Sequence, residues 1–284
     1  MAQHIHWYPG HIAKAEKELR QKLSLVDVVI EVIDARIPYS SRYKNIEKLC
    51  PNKPRLILMN KTDLSDENYN KIWAKIIQKE TDCKVLCTSL NNKNDINLIT
   101  NLITSLSEDI MKKRLEKGLL ARPTRTMVVG MPNTGKSSAI NKLVKKSKTK
   151  TGAKAGVTRI QQWVRINDKI ELLDTPGIIP TVQNDQNQAK NLAFVNSIGE
   201  NAYDFEYVAS ELLNVLYKYY KDEIIKYYDL EDEPTIEKIA LAKKWILKKE
   251  QPDIKRTAQI ILSNFREGKI GKFTLERPEE YGLI

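Results

Sequence analysis

The 284-residue chain is 41% apolar and 29% charged, with a formal net charge of +11, a composition that points to a folded globular protein and away from disordered or fibrous classes. No apolar run approaches the roughly 20 residues a membrane-spanning helix needs, the opening residues lack an apolar signal region, and the three cysteines show no zinc-type pairing, which indicates a reducing, cytoplasmic setting and no membrane partner. Residues 181–284 hold 15 Lys+Arg against 18 Asp+Glu, a net of −3, which leaves +14 on residues 1–180 and fits a polyanionic partner such as nucleic acid.

In chain order, Ile12, Ala13, Leu19 and Leu23 recur at helical spacing among Lys and Glu. The run from Asp27 to Asp34 reads as a buried strand. Arg55 to Met59 reads as a second and Lys84 to Cys87 as a third, with a helix around Asn68 to Lys79 between them. A long amphipathic helix is expected over Ile96 to Lys117. A strand from Thr126 to Val129 and a helix from Ser137 to Lys146 follow. Gln162 to Ile166 and Ile170 to Leu173 read as a strand pair joined at Asn167-Asp168. Strands alternating with helices predict an α/β sheet covered on both faces. After Pro180 helical periodicity dominates from about Asn191 to Asn264, and Phe273-Thr274-Leu275 reads as a short extended segment. The polar run Gln183 to Gln188 reads as a linker. The expected organisation is an α/β domain over residues 1–180 and a small all-α domain over 181–284.

Three motifs stand at strand ends. Gly130-Met131-Pro132-Asn133-Thr134-Gly135-Lys136-Ser137 spells G-x-x-x-x-G-K-[ST] between a predicted strand and a predicted helix, the context a phosphate loop requires. Its glycines let backbone N–H groups point at phosphate oxygens, and the helix N-terminus adds partial positive charge. Lys136 is expected to reach the β- and γ-phosphates and Ser137 to ligate Mg²⁺, with Ser138 beside it. Asp174-Thr175-Pro176-Gly177 is expected to supply a Mg²⁺ carboxylate in Asp174 and a γ-phosphate-sensing N–H in Gly177. Thr158, between the two motifs, is the candidate switch threonine on Mg²⁺.

Asn60-Lys61-Thr62-Asp63 is an N-K-x-D box. Asp63 can accept from guanine N1–H and its exocyclic amine. Adenine offers no matching donors, and leaving such groups unpaired rejects the wrong base by about 10⁴ or more. Lys61 would pack its stem over the base, Asn60 would tie the box to neighbouring loops, and the backbone of Thr88-Ser89-Leu90 would meet guanine O6. The box precedes the phosphate loop, whereas an ordinary GTPase has the reverse order, so a circularly permuted GTPase domain is expected. Many switch GTPases carry a Gln just after D-x-x-G, but Ile178 and Ile179 stand there. Asn133 could instead hold a monovalent cation against the phosphates or make a loop-internal hydrogen bond. His4 and His6 read as a terminal pair. His11, after Pro9-Gly10, reads either as a structural residue at a helix start or as a catalytic one. Cys83 and Cys87 are expected to be buried.

The run from Trp7 to Ala15, W-Y-P-G-H-I-A-K-A, the run Asp34-Ala35-Arg36-Ile37-Pro38-Tyr39-Ser40-Ser41-Arg42 and the permuted boxes together resemble the YlqF/RbgA family of ribosome-biogenesis GTPases, closely over residues 3 to about 180 and loosely beyond. The resemblance implies a GTP hydrolase that acts late in large-subunit assembly, turns over faster on the ribosomal particle and depends on potassium; a cytoplasmic monomer is expected. It also implies that His11 is the histidine linked to hydrolysis, that Asn133 is the potassium-linked asparagine, and that the helical domain contacts rRNA, which fits the basic stretch from Lys243 to Arg277. The chain departs from the family at Ile178-Ile179-Pro180, where Leu-Trp-Pro is common, at Thr88-Ser89-Leu90, where a Ser-Ala loop is commoner, and at Ser138, where Thr is frequent. A GTPase partner in RNA modification would share Asn133 but needs a second active site. A nucleotide-dependent RNA-binding scaffold without turnover is the other alternative.

Overall fold

The computed structural model describes residues 5, 12–43, 46–90, 93–148, 163–173 and 185–284. The sheet is built from β1 (Val28–Asp34), β2 (Arg55–Asn60), β3 (Lys84–Cys87), β4 (Thr124–Gly130), β5 (Trp163–Asn167) and β6 (Ile170–Leu173) in the order β3-β2-β1-β4-β6-β5. Neighbouring strands are parallel except β5, which runs antiparallel on β6. All residues of β1 and β2 are buried. That explains their near-continuous apolar spelling, since central parallel strands are covered on both faces. β3 forms one edge and is half exposed, and Cys87 at its end is exposed. The expectation of a buried Cys87 is therefore corrected, while Cys83 and Cys50 are buried.

The two faces follow from the two-residue alternation of strands. Ile30, Val32, Leu56, Leu58 and Val128 pack against α4 (Lys93–Glu116) and α5 (Lys136–Lys148) through Ile99, Ile103, Ala139 and Leu143. Val29, Met127 and Val129 face Leu19 and Leu23 of α1 (Ile12–Leu23) and Ile46 of α2 (Ile46–Leu49). Ile33, Ile57 and Met59 face Trp73 and Ile77 of α3 (Glu67–Thr81). Helix α3 starts where Asp66 accepts from Asn68 N and Tyr69 N and stops at Asp82 in the left-handed region, φ 53°.

The remaining helices are α6 (Gln186–Phe194), α7 (Phe205–Tyr219), α8 (Lys221–Tyr228), α9 (Ile236–Ala242) and α10 (Ile254–Arg266). Their apolar faces build a second core from Leu192, Leu212, Leu216, Ile239, Ile261 and Phe265. Ile37 and Met131 from the sheet half belong to the same core, so the helical half is seated directly on the strand ends. Within the polar run expected to be a linker, Gln186 already opens α6. Phe273-Thr274-Leu275, read as a short extended segment, joins no sheet. It is a buried irregular segment whose Phe273 N donates to Leu64 O at 3.1 Å and whose Leu275 N donates to Arg36 O at 2.8 Å. Two charged residues fasten this tail. Buried Glu276 accepts from Tyr39 N at 2.6 Å, Tyr281 Oη at 2.9 Å and the Ser40 hydroxyl. The Arg277 guanidinium lies 3.9 Å from the Tyr69 ring centre and 4.2 Å from that of Tyr219.

Candidate nucleotide-binding site

Strand register places the site. From β1 the chain moves outward through β2 and β3, then crosses to the other side of β1 with β4, and ligands of such sheets sit at this reversal, outside the carboxyl ends of the strands. Asp34 pairs with Asn60, and Val32 with Gly130. The D-A-R run, the N-K-x-D box and the phosphate loop therefore leave three adjacent strands at one edge.

The phosphate loop joins β4 to α5. Gly130 has φ 153°, and a Cβ there would lie 2.4 Å from Val32 O. Gly135 has φ 104°, and a Cβ there would lie 2.1 Å from Asn60 Nδ2. The two glycines are needed for close approach as much as for backbone freedom. Thr134 is fully buried and its hydroxyl donates to Met131 O at 2.9 Å. Lys136 donates to the same carbonyl at 2.6 Å, and burial lowers its ammonium to about 8. Ser137 and Ser138 are exposed in the first turn of α5.

Asn60 is buried at the end of β2, and its Nδ2 donates to Thr134 O at 2.8 Å, so it ties the box to a neighbouring loop. Its Oδ1 is buried without a hydrogen-bond partner among the described residues. Lys61, at φ 64°, donates to Asp34 Oδ2 at 2.8 Å and to Asn133 O at 2.6 Å. Burial lowers the Lys61 ammonium and the adjacent Asp34 carboxylate partly restores it. Asp63 is exposed. The third loop is held from both sides. Thr88 N donates to Met59 O at 2.9 Å, Thr62 N to Thr88 O at 3.3 Å, and Thr88 Oγ1 to Asp95 Oδ2 at 2.6 Å. Ser89 is half-buried, and Leu90 is buried at φ 58° with its carbonyl accepting from Lys142.

Asn133 sits at φ 58° with its side-chain Nδ2 donating to Asn196 O at 2.5 Å. Ser197 Oγ donates to Pro132 O at 2.8 Å. A cleft of about 480 Å³ opens between these phosphate-loop residues and residues 196–201. His11, Thr158, Asp174 and Gly177 lie outside the described residues. Among the described residues no cluster of three His, Cys, Asp or Glu forms a metal cage. The exposed Ser137 hydroxyl fits the alternative in which a divalent ion shares its oxygens between protein and phosphate.

The helical half supplied contacts that motif spelling did not announce. Asn196 and Ser197 brace the phosphate loop from a segment with no phosphate-loop spelling of its own. The spelling of the D-A-R run assigns no chemistry to Asp34 and Arg36, whose partners Lys61 and Arg266 O are distant in sequence.

The family model described as a 50S ribosome-binding GTPase matches residues 125–244. Over 97% of its length the chain is 37% identical to ribosome biogenesis GTPase A of Bacillus licheniformis, covering 99% of that protein. It is 36% identical to the protein of the same name from Bacillus cereus, over 98% of this chain and 95% of that one. The chain belongs to the ribosome biogenesis GTPase A family. Among solved structures it resembles GNP-bound YlqF from Thermotoga maritima, with a TM-score of 0.65 and 26% identity over 94% of this chain and 99% of that one. A GDP-bound YlqF structure matches with a TM-score of 0.66 and 26% identity over 92% and 99% of the two chains. The family makes this chain a GTP hydrolase on a circularly permuted α/β fold, in agreement with the order of its boxes. A GTPase of this kind works with a divalent metal. Among the described residues no helix is long and apolar enough to cross a membrane.

Proposed function

We propose that the chain binds immature large ribosomal subunits and uses GTP hydrolysis to control a late step of their assembly. The observation that carries this reading is the junction of guanine box and phosphate loop at Asn60–Thr134, in a chain that aligns almost end to end with ribosome biogenesis GTPase A proteins. Asn60, Lys61, Asp63 and the Thr88-Ser89-Leu90 loop read guanine. Gly130 to Ser138 hold the phosphates, and Lys136 meets the β- and γ-phosphates. Ser137 with Thr158 and Asp174 would hold Mg²⁺, which when bound would neutralise phosphate charge. The Gly177 N–H senses the γ-phosphate. With no Gln after D-x-x-G, Asn133 would hold a potassium ion, which when bound would supply positive charge to the transition state, and His11 would assist hydrolysis. The amide nitrogen of Asn133 is held by Asn196 O, which leaves Oδ1 as the ligand atom.

Residues 1–180 act as the GTPase unit and 181–284 as the RNA-binding unit. Of the ten basic residues from Lys243 to Arg277, Arg266 and Arg277 are turned inward and Lys269 pairs with Glu267 at 2.6 Å. Lys244, Lys248, Lys249, Lys255 and Arg256 are exposed in and beside the turn closed by the Ile246–Pro252 bridge. This turn also exposes Ile246 and Leu247. The basic, apolar-tipped projection suits rRNA, with lysines on phosphates and aliphatic groups against bases. The protein works as a cytoplasmic monomer. Sedimentation with ribosomal fractions in GDP and in a non-hydrolysable GTP analogue tests the reading. Co-sedimentation with large-subunit precursors in the analogue, and release in GDP, is the expected outcome. Equal behaviour in both nucleotides contradicts it.

A further inference from the structure

Asp34 is fully buried and accepts from four donors: Arg36 N at 3.1 Å, Arg36 Nε at 3.0 Å, Arg36 Nη2 at 2.8 Å and Lys61 Nζ at 2.8 Å. Burial alone would favour the neutral acid, but the Arg36 guanidinium and Lys61 ammonium outweigh it and hold the carboxyl far below its ordinary range. The carboxylate is thus a fixed anion between two cations. Lys61 reaches onward to Asn133 O in the phosphate loop. Arg36, itself 1% exposed, reaches the other way: Nη1 donates to Arg266 O at 3.3 Å, and the guanidinium lies 5.3 Å from the Phe265 ring centre.

The circuit closes through the helical half. The Arg266 side chain donates to Phe194 O at 3.0 Å and Ala193 O at 2.9 Å, at the end of α6, where a cation is favourably placed. Two residues later Asn196 O accepts from the Asn133 side chain. The phosphate loop, guanine box, D-A-R run, α10 and the end of α6 therefore form one closed ring of polar contacts.

We infer that Asp34 and Arg36 are positioning residues that act through Lys61, setting the guanine box against the phosphate loop and making nucleotide affinity sensitive to how α10 is seated. This inference rests on the nucleotide-site reading above. The two-pronged grip of Arg36 on both Asp34 oxygens fixes the carboxylate's orientation, and a lysine cannot reproduce it. With the carboxylate rotated, Lys61 loses its anchor and the guanine box loses its fixed distance to Asn133.

The test is a double-mutant cycle on GDP affinity, read with a fluorescent GDP analogue, for wild type, Arg36→Lys, Lys61→Met and the pair. Arg36→Lys should weaken binding about tenfold in the wild-type background and have no further effect once Lys61 is Met. A residue with only a structural role would weaken both backgrounds equally. Unchanged affinity in Arg36→Lys, or multiplying effects in the pair, overturns the inference. If Arg36→Lys does not fold, Phe265→Leu removes the ring beside the guanidinium, leaves every charge in place and carries the same test against Lys61→Met. Failure of the wild-type protein to bind GDP at all would refute the site reading itself and is distinct from both outcomes.

Discussion

The Asn60 side-chain amide donates to the Thr134 carbonyl at 2.8 Å, so the group that opens the guanine box also fixes the phosphate loop. The two segments belong to strands on either side of β1, and this bond holds the N-K-x-D box and the phosphate loop at one spacing. Gly135→Ala should break it, because the added methyl would enter the Asn60 amide and the backbone is in the left-handed region. GDP affinity measured by titration calorimetry should fall at least about tenfold, roughly the loss of one hydrogen bond to a buried group. An Ala variant that binds GDP as wild type does would show that the bond is dispensable.

Lys136 lies at about 8 before phosphate arrives, because it is buried against a carbonyl and not against an anion. Phosphate favours the ammonium and raises that value. Between the free and bound values the complex holds more protons than the free protein. GDP binding at pH 8 to 9 should therefore take up protons, with uptake vanishing toward pH 6, and affinity should weaken as pH rises beyond 8. Calorimetry in buffers of different ionisation enthalpy measures this. Proton release, or no pH dependence, would contradict the assignment.

Arg277 is enclosed by the rings of Tyr69, Tyr219 and Tyr220 and donates to Thr274 O at 2.6 Å. It binds the tail to α3 and α7 together. Arg277→Met keeps much of the bulk and removes the charge, so denaturant unfolding should reveal a loss of about 2 kcal/mol. A change confined to a few tenths would mean that the ring contacts contribute little.

Lys244, Lys248 and Lys249 are exposed. If they meet RNA phosphates, replacing all three with Ala should flatten the salt dependence of RNA binding by about three in slope. GDP affinity should stay unchanged. An unaltered slope would move the RNA contact elsewhere.

Much of this was legible in the spelling. β1 and β2 read as strands because central parallel strands are apolar throughout, and Gly130 to Ser137 read as a phosphate loop because close approach to Val32 O and Asn60 Nδ2 admits only glycine at two positions. What was not legible depends on partners distant in sequence. Arg266 and Arg277 counted toward a basic surface, yet both are engaged internally with carbonyls and rings. Cys87 shared an apolar run with Cys83, but Cys83 packs in the cluster with Trp73 and Ile77 of α3 while Cys87 closes the half-exposed edge strand β3. Asn133 had two sequence readings, and its partner proved to be Asn196 O, outside its own loop. Phe273 to Leu275 read as a short extended segment, and what the spelling did not show is that their backbone is held at separate points by Leu64 O and Arg36 O.

We propose that immature large subunits stimulate GTP hydrolysis by this protein. This is tested most directly by multiple-turnover GTP hydrolysis in potassium buffer, titrated with immature large subunits. Slow turnover by the free protein, a saturable rise with particle concentration, and loss of that rise when sodium replaces potassium are the expected results. A rate that stays flat across the titration would contradict it.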